Sequence, residues 1–73
     1  MSQKKADISI GMRAYEEAMR ISDGPEMLLR KNGIAKNTLY MWRDGSAPGG
    51  LHLAKLHYAG ADVLYILTGK RSK

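Results

Sequence analysis

The stretch that decides the fold of this chain is residues 25–45, which read PEMLLRKNGIAKNTLYMWRDG. Pro25 suits the first position of a helix, because the first backbone N–H groups of a helix have no partner within it. Gly33 can take the left-handed conformation that ends a helix and turns the chain sharply. Apolar residues then resume at helical spacing, and a further helix is expected from about Lys36 to Asp44. The stretch predicts two short helices joined by a tight turn.

The second of these helices has two different faces when it is read at about 100° per residue. Leu39 and Trp42 share one side, which we predict to belong to the core. The opposite side carries Asn37, Tyr40, Met41 and Asp44, and all of these except Met41 have polar side chains that can form hydrogen bonds. The flanks carry Lys36, Thr38 and Arg43. This helix is therefore expected to be anchored on one side and to offer a polar surface on the other.

A first helix is expected before this stretch, from about Ser9 to Ser22. Met12, Tyr15 and Met19 form one apolar stripe along it, and Gly11 makes its starting point uncertain, since glycine weakens a helix.

Two more helices fit between the glycine breaks that follow residue 45. The fourth helix, from about Leu51 to Tyr58, should direct Leu53 and Leu56 inward. The last helix is predicted from Val63 to Thr68, with Asp62 as its cap. The fold class expected from these patterns is all-α, a compact bundle of about five short helices.

Composition limits the range of functions. The chain has 73 residues and 44% hydrophobic content, enough for one domain but too little for a deep enclosed pocket. It has no cysteine, which excludes disulfides and thiol chemistry and suits a cytoplasmic location. His52 and His57 are five residues apart, so they point to different sides of a helix and do not form a metal pair. We expect no enzyme activity, no cofactor, no metal, no membrane segment and no small-molecule substrate.

Charge is distributed unevenly along the chain. Twelve Lys and Arg against seven Asp and Glu give a net charge of +5. Beyond Glu26, the only acidic residues are Asp44 and Asp62, so the basic surface belongs to the later elements. A net charge of this size also serves simply to keep a small domain soluble. Its distribution favours nucleic acid as the partner.

The two helices of residues 25–45 resemble the helix-turn-helix of the lambda-repressor/Cro-like superfamily, of the xenobiotic-response-element type. Residues 62–71, DVLYILTGKR, are similar to the final helix and tail of many phage and prophage repressors in that superfamily. Two positions depart from the pattern: Leu29 stands where a small residue is usual, and Asn32 where an apolar one is usual. The resemblance implies a lambda-repressor-like DNA-binding domain over residues 9–69, with the helix-turn-helix at about 25–44. Residues 1–8 would be a flexible basic arm and residues 70–73 a basic tail.

The resemblance also assigns roles to the residues of the second helix and the loop after it. Base edges would be read by Lys36, Asn37, Tyr40 and Met41. Asn37 can pair with adenine, and Lys36 can reach guanine or a phosphate. Phosphates would be contacted by Thr38, Arg43, Ser46 and Gly49. Alternatively, Tyr40 and Met41 only shield the helix or contact a protein, and the glycine-rich stretch around Gly49 is a plain connector.

A single recognition helix reads only a few base pairs, so a two-fold dimer on a palindromic operator is expected. Spacing directs Val63, Ile66 and Leu67 of the last helix inward, which leaves Leu64 and Tyr65 for the partner subunit. The function implied is a phage or prophage-type repressor that binds double-stranded DNA in the cytoplasm of a bacterial cell or phage-infected host. The alternative is a protein-binding module, such as an antitoxin or adaptor with the same fold.

Overall fold

Glycines and a proline divide the chain into successive helices in the computed structural model, which describes the backbone of residues 2–71 and the side chains of residues 9–71. The helices are α1 (Ser2–Arg20), α2 (Pro25–Asn32), α3 (Lys36–Arg43), α4 (Gly50–Ala59) and α5 (Val63–Thr68). Residues 2–71 contain no strand. The Cα radius of gyration is 11.3 Å, close to the value of about 11 Å expected for a folded chain of this length. The predicted compact all-α bundle of five helices is therefore confirmed.

Parts of the predicted arm and tail cannot be compared with the structure. Met1, Ser72 and Lys73 lie outside the described residues, and so do the side chains of residues 2–8. Within residues 2–71, no helix combines the length and the apolar character that crossing a bilayer requires.

Helix α1 begins at Ser2, so the predicted start at Ser9 is wrong. The backbone of residues 2–8 is helical and continuous with the rest of α1. Residues 3–8, QKKADI, contain no glycine or proline and include several good helix formers, so nothing local stops the helix there. The helix ends at Arg20, two residues before the expected end at Ser22.

Gly11 lies inside α1, against the end of α3 and the loop that follows it. A Cβ atom at this position would come within 2.8 Å of the Trp42 carbonyl oxygen and would overlap the carbonyl oxygen of Ser46. Only glycine lets the two backbones approach so closely. The residue that weakens the helix locally therefore permits its packing against α3.

The core is formed by apolar side chains from all five helices and the connections between them. Its fully or almost fully buried members in the described part of the chain are Ala14, Ala18, Leu28, Ile34, Leu39, Trp42, Leu56, Ala61 and Ile66. Leu53 packs against this cluster while partly exposed. The inward orientations predicted for Leu39, Trp42, Leu53 and Leu56 are confirmed.

The inner stripe of α1 differs from the predicted one. Met12 is 53% exposed, and Tyr15 and Met19 are only partly buried. The apolar side chains that α1 buries fully among residues 9–20 are those of Ala14 and Ala18, which lie between the larger side chains. Because alanine is short, it lets neighbouring helices lie close to α1, and a pattern based on large apolar residues misses that face.

Two glycines end helices as predicted, through the left-handed conformation. Gly33 has a φ of 69° and donates its N–H to Leu29 O at 3.1 Å, while the Ile34 N–H reaches Leu28 O at 3.3 Å. Gly69 ends α5 with a φ of 82°. These bonds satisfy carbonyls that the end of a helix leaves without partners.

Helix α5 is capped as expected, because the side chain of Asp62 accepts the N–H of Tyr65 at 3.0 Å. Ile66 is buried and Val63 half-buried, but Leu67 is 45% exposed, so its predicted inward orientation is wrong. Adjacent residues on a helix point about 100° apart, and a helix of six residues that buries Ile66 has no second inward row for Leu67.

We predict that Gly11→Ala lowers the free energy of unfolding by about 1–3 kcal/mol, because the added methyl must displace backbone atoms of the Trp42–Ser46 segment. Urea denaturation followed by Trp42 fluorescence measures the change. Gly50→Ala is the matched control, since a Cβ there meets open space, and it should alter stability by no more than about 0.5 kcal/mol. Equal effects of the two substitutions would contradict the close approach.

Candidate nucleic-acid interface

Helix α3 carries the four side chains that the resemblance assigns to base reading, and three of them are exposed. Lys36 and Asn37 are exposed, Met41 is 56% exposed, and Tyr40 is partly buried. Leu39 and Trp42, on the other side of the helix, are buried in the core. The structure therefore brings the four residues together on the solvent side of one short helix that the core holds in place.

Tyr40 and Arg43 form a stacked pair on this surface. The Arg43 guanidinium carbon lies 4.7 Å from the centroid of the Tyr40 ring, within the range of a cation–π contact. Nε of Arg43 also lies 3.7 Å from Asp44 Oδ1. Both charged groups are more than half exposed, so this ion pair contributes little to stability. The stack restrains the guanidinium while its N–H groups remain accessible.

The residues assigned to phosphate contact lie on α3 and on the loop that follows it. Thr38 is partly buried, whereas Arg43, Ser46 and Gly49 are exposed. Pro48 is buried and fixes this loop to the body of the protein. Gly49 is the N-cap of α4, so the backbone amides that follow it lie at the positive end of a helix dipole. These donors could bind anions.

An open groove lies between the N-terminal ends of α2 and α3, and sequence reasoning did not anticipate it. Its volume is about 320 Å³, and its lining is Asp23, Gly24, Pro25, Glu26, Lys36 and Tyr40. The carboxylates of Asp23 and Glu26 in this lining would repel an anionic ligand. The favourable side for a polyanion is therefore that of Arg43 and the loop before α4.

The departures noted at Leu29 and Asn32 do not disturb the turn. Leu29 is 52% exposed and Leu28 is the buried residue of α2, so Leu29 does not widen the packing of α2 against α3. Asn32 is the last residue of α2 and is partly buried.

The two histidines lie in different environments on α4. His52 is partly buried, with its ring edge-on to Trp42 at 5.6 Å between centroids, and His57 is exposed. Within the described residues, no three His, Cys, Asp or Glu side chains are grouped so as to hold a metal ion.

Glu17 is a buried charged residue that sequence reasoning did not identify as such. One carboxylate oxygen accepts from Arg20 and from the backbone N–H of Asp62, each at 2.8 Å. The other accepts from Arg20 at 2.9 Å and from Arg71 at 2.8 Å. Glu17 falls between Ala14 and Ala18 on the inner face of α1, and that spacing was the available signal.

Its hydrogen bonds hold the Glu17 side chain in the charged state. The hydrogen bonds from Arg20, then those from the Asp62 amide and Arg71, outweigh the opposing effect of burial and together lower the pKa of Glu17 from 4.5 to about 2. Arg71 cannot serve as a free basic tail residue, because it also stacks on the ring of Tyr65 at 3.9 Å. The network therefore ties the end of the chain to α1.

The two residues assigned to a dimer interface lie in different surroundings. Leu64 is 49% exposed. Tyr65 donates its hydroxyl to Glu16 at 2.7 Å, and this hydrogen bond raises the pKa of Tyr65. Tyr65 is thus bound to α1 of its own chain, and Leu64 is the more accessible of the pair.

Comparison with protein-family models, curated proteins and solved structures found no match to this chain. The resemblance of residues 25–45 and 62–71 to lambda-repressor-like regulators therefore stays a prediction from the sequence.

We predict that Glu17→Gln lowers the free energy of unfolding at pH 7 by about 2–3 kcal/mol, because an amide replaces a buried carboxylate that accepts four hydrogen bonds. Since the pKa is depressed in the folded state, the contribution of Glu17 is complete above pH 4.5 and is lost as the pH falls towards about 2. Urea denaturation between pH 7 and pH 2 should show this acid-induced loss in the natural protein and not in Glu17→Gln.

Glu16→Gln is the matched control for that measurement. Glu16 is exposed, and an amide oxygen in its place still accepts the Tyr65 hydroxyl. Its stability at pH 7 and its acid-induced loss should both stay close to those of the natural protein. If the loss between pH 4.5 and 2 persisted in Glu17→Gln, the buried carboxylate would not be its cause.

Proposed function

We propose that this protein is a sequence-specific regulator that binds double-stranded DNA, of the phage or prophage repressor type. The observation that carries the proposal is the division of α3 into a buried side with Leu39 and Trp42 and an exposed side with Lys36, Asn37 and Met41. On this proposal, α2, the short connection at Gly33 and α3 act as a helix-turn-helix of lambda-repressor-like form.

The exposed side chains of α3 suit the edges of base pairs. An α-helix fits the major groove, where each base pair presents its own pattern of donors and acceptors. The Asn37 amide can bond both N6 and N7 of adenine, and Lys36 can reach O6 and N7 of guanine. Tyr40 offers a hydroxyl, and Met41 an apolar contact for a thymine methyl group. The helix can therefore distinguish bases without further protein groups.

Affinity for the DNA backbone would come from the basic side of the molecule. Arg43 and the exposed loop residues Ser46 and Gly49 follow the reading surface directly in the chain. The net charge of +5 adds a long-range attraction for a polyanion. Because such contacts release counterions, the logarithm of the binding constant should fall linearly with the logarithm of the salt concentration.

Dimerisation would double the length of DNA that is read. Two recognition helices related by a two-fold axis lie about 34 Å apart along one face of the duplex, which matches a palindromic operator. Leu64 is the exposed apolar residue of α5 best placed for such a contact in the proposal, with Tyr65 beside it. A bound dimer that covers a promoter excludes polymerase without any chemistry.

A protein-binding role is the second candidate, and the surface of α4 favours it. Leu51 is 68% exposed and Tyr58 is 86% exposed on this helix. Exposed large apolar side chains are typical of surfaces that contact other proteins. An antitoxin or adaptor would use this surface, and its complex would respond weakly to salt, in contrast to a complex with DNA.

We predict that Asn37→Ala relaxes the preference at one base position and costs roughly 1 to 3 kcal/mol at that position. Arg43→Ala should weaken binding to all sequences alike. It should also reduce by about one the salt slope, which is the slope of the logarithm of the binding constant against the logarithm of the salt concentration. Duplexes selected from a random pool, compared with random duplex in titrations at several salt concentrations, separate the two effects. Equal losses from Asn37→Ala on selected and random DNA would contradict its role in base reading.

We predict that Leu64→Glu weakens self-association and operator binding together, because it places a charge in the proposed contact between subunits. Sedimentation measures the first effect and titration with a palindromic duplex the second. Leu51→Glu makes the same change at an exposed leucine of α4 and serves as the matched control. Unchanged sedimentation of Leu64→Glu would remove α5 from the interface.

A further inference from the structure

One peptide unit in the turn between α2 and α3 is held at both ends. The N–H of Ile34 donates to Leu28 O of α2 at 3.3 Å. The carbonyl of Gly33, on the other side of the same peptide unit, accepts from Nζ of Lys55 at 3.1 Å. Lys55 belongs to α4, so the turn is tied both to the helix before it and to a helix that is 22 residues away along the chain.

The Gly33 position makes this double attachment important. A glycine has more freedom in φ and ψ than any other residue, and Gly33 is already in the left-handed region. Rotation of the peptide unit that follows it changes the direction in which the chain enters α3, which begins at Lys36. Ile34 anchors the turn in the core through its side chain, but a side chain contact does not fix the orientation of the preceding carbonyl.

Lysine suits this task because its flexible stem can reach across from another helix and its ammonium group is a strong donor. The last carbonyls of a helix carry partial negative charge, and a cation near them is stabilising. Nζ of Lys55 also lies 3.5 Å from the position that a Cβ of Gly33 would occupy, so the amine covers the turn from outside.

We propose that Lys55 is a positioning residue for α3: by binding the Gly33 carbonyl, it fixes the angle at which the reading surface of α3 is presented. This inference rests on the proposed function for its consequence on DNA, but the bond itself is a property of the free protein. Lys55 then acts through the turn, and it is not a group that contacts phosphate.

The test compares Lys55→Met, which keeps the length of the stem and loses the donor, with Lys55→Arg, which keeps a cationic donor. Lys31→Met is the matched control, because it removes one positive charge from an exposed lysine of α2. Each protein is titrated with a selected duplex and with random duplex over a range of salt. Amide exchange at Ile34 is measured by NMR on the free proteins.

We expect Lys55→Met to lose about tenfold more affinity for the selected duplex than Lys31→Met loses, and to match it on random duplex. The amide of Ile34 should exchange several-fold faster in Lys55→Met than in Lys31→Met, and Lys55→Arg should restore both properties. The salt slope should be the same for Lys55→Met and Lys31→Met.

Two results would overturn the assignment. A salt slope that falls by about one in Lys55→Met, with Ile34 exchange unchanged, would make Lys55 a phosphate contact instead. Equal losses in Lys55→Met and Lys31→Met on the selected duplex would show that only charge matters. If the natural protein bound no duplex, the proposed function would fail, and Ile34 exchange would still decide whether Lys55 holds the turn.

Discussion

A buried carboxylate connects the two ends of this small protein. Glu17 of α1 accepts hydrogen bonds from the backbone at the start of α5 and from Arg71 beyond its end, as well as from Arg20 of its own helix. A chain of this size buries too little apolar surface for a large margin of stability. Charged hydrogen bonds that are completed only when both ends have docked therefore make α5 part of a single cooperative unit. This helix carries Ile66, which is buried in the core.

The two sides of α3 have different surroundings. Its inner side packs through Leu39 and Trp42, and α1 approaches the end of the helix so closely that position 11 must be glycine. Its outer side makes few contacts with the rest of the chain. On our proposal, this rigid support lets the outer side chains of α3 contact the edges of base pairs, because their positions would vary too much on a mobile helix.

Local signals in the sequence were enough to predict much of this fold. Pro25, Gly33, Asp62 and Gly69 act through their own backbone geometry or through bonds to near neighbours, and each lies where its chemistry predicts. The outward face of α3 followed from periodicity alone. Its role in binding DNA came from a resemblance, and that part of the site stays a prediction.

The features that the sequence did not reveal depend on residues far apart in the chain. Glu17 is buried because Arg71 lies 54 residues further on and folds back over it. Lys55 holds Gly33 across 22 residues. Met12 and Leu67 are exposed because short alanines carry the packing of α1 and a six-residue helix has one inward row. Contacts of this kind are set by the packing of whole helices, which periodicity does not describe.

The separation of the two faces of α3 also has an evolutionary consequence. Lys36, Asn37 and Met41 are exposed, so most replacements there should change the free energy of unfolding by no more than about 0.5 kcal/mol. Lineages can therefore exchange these residues, and with them any partner they recognise, while the scaffold persists. Tyr40 is the exception, since its ring supports Arg43 and its replacement alters two side chains at once.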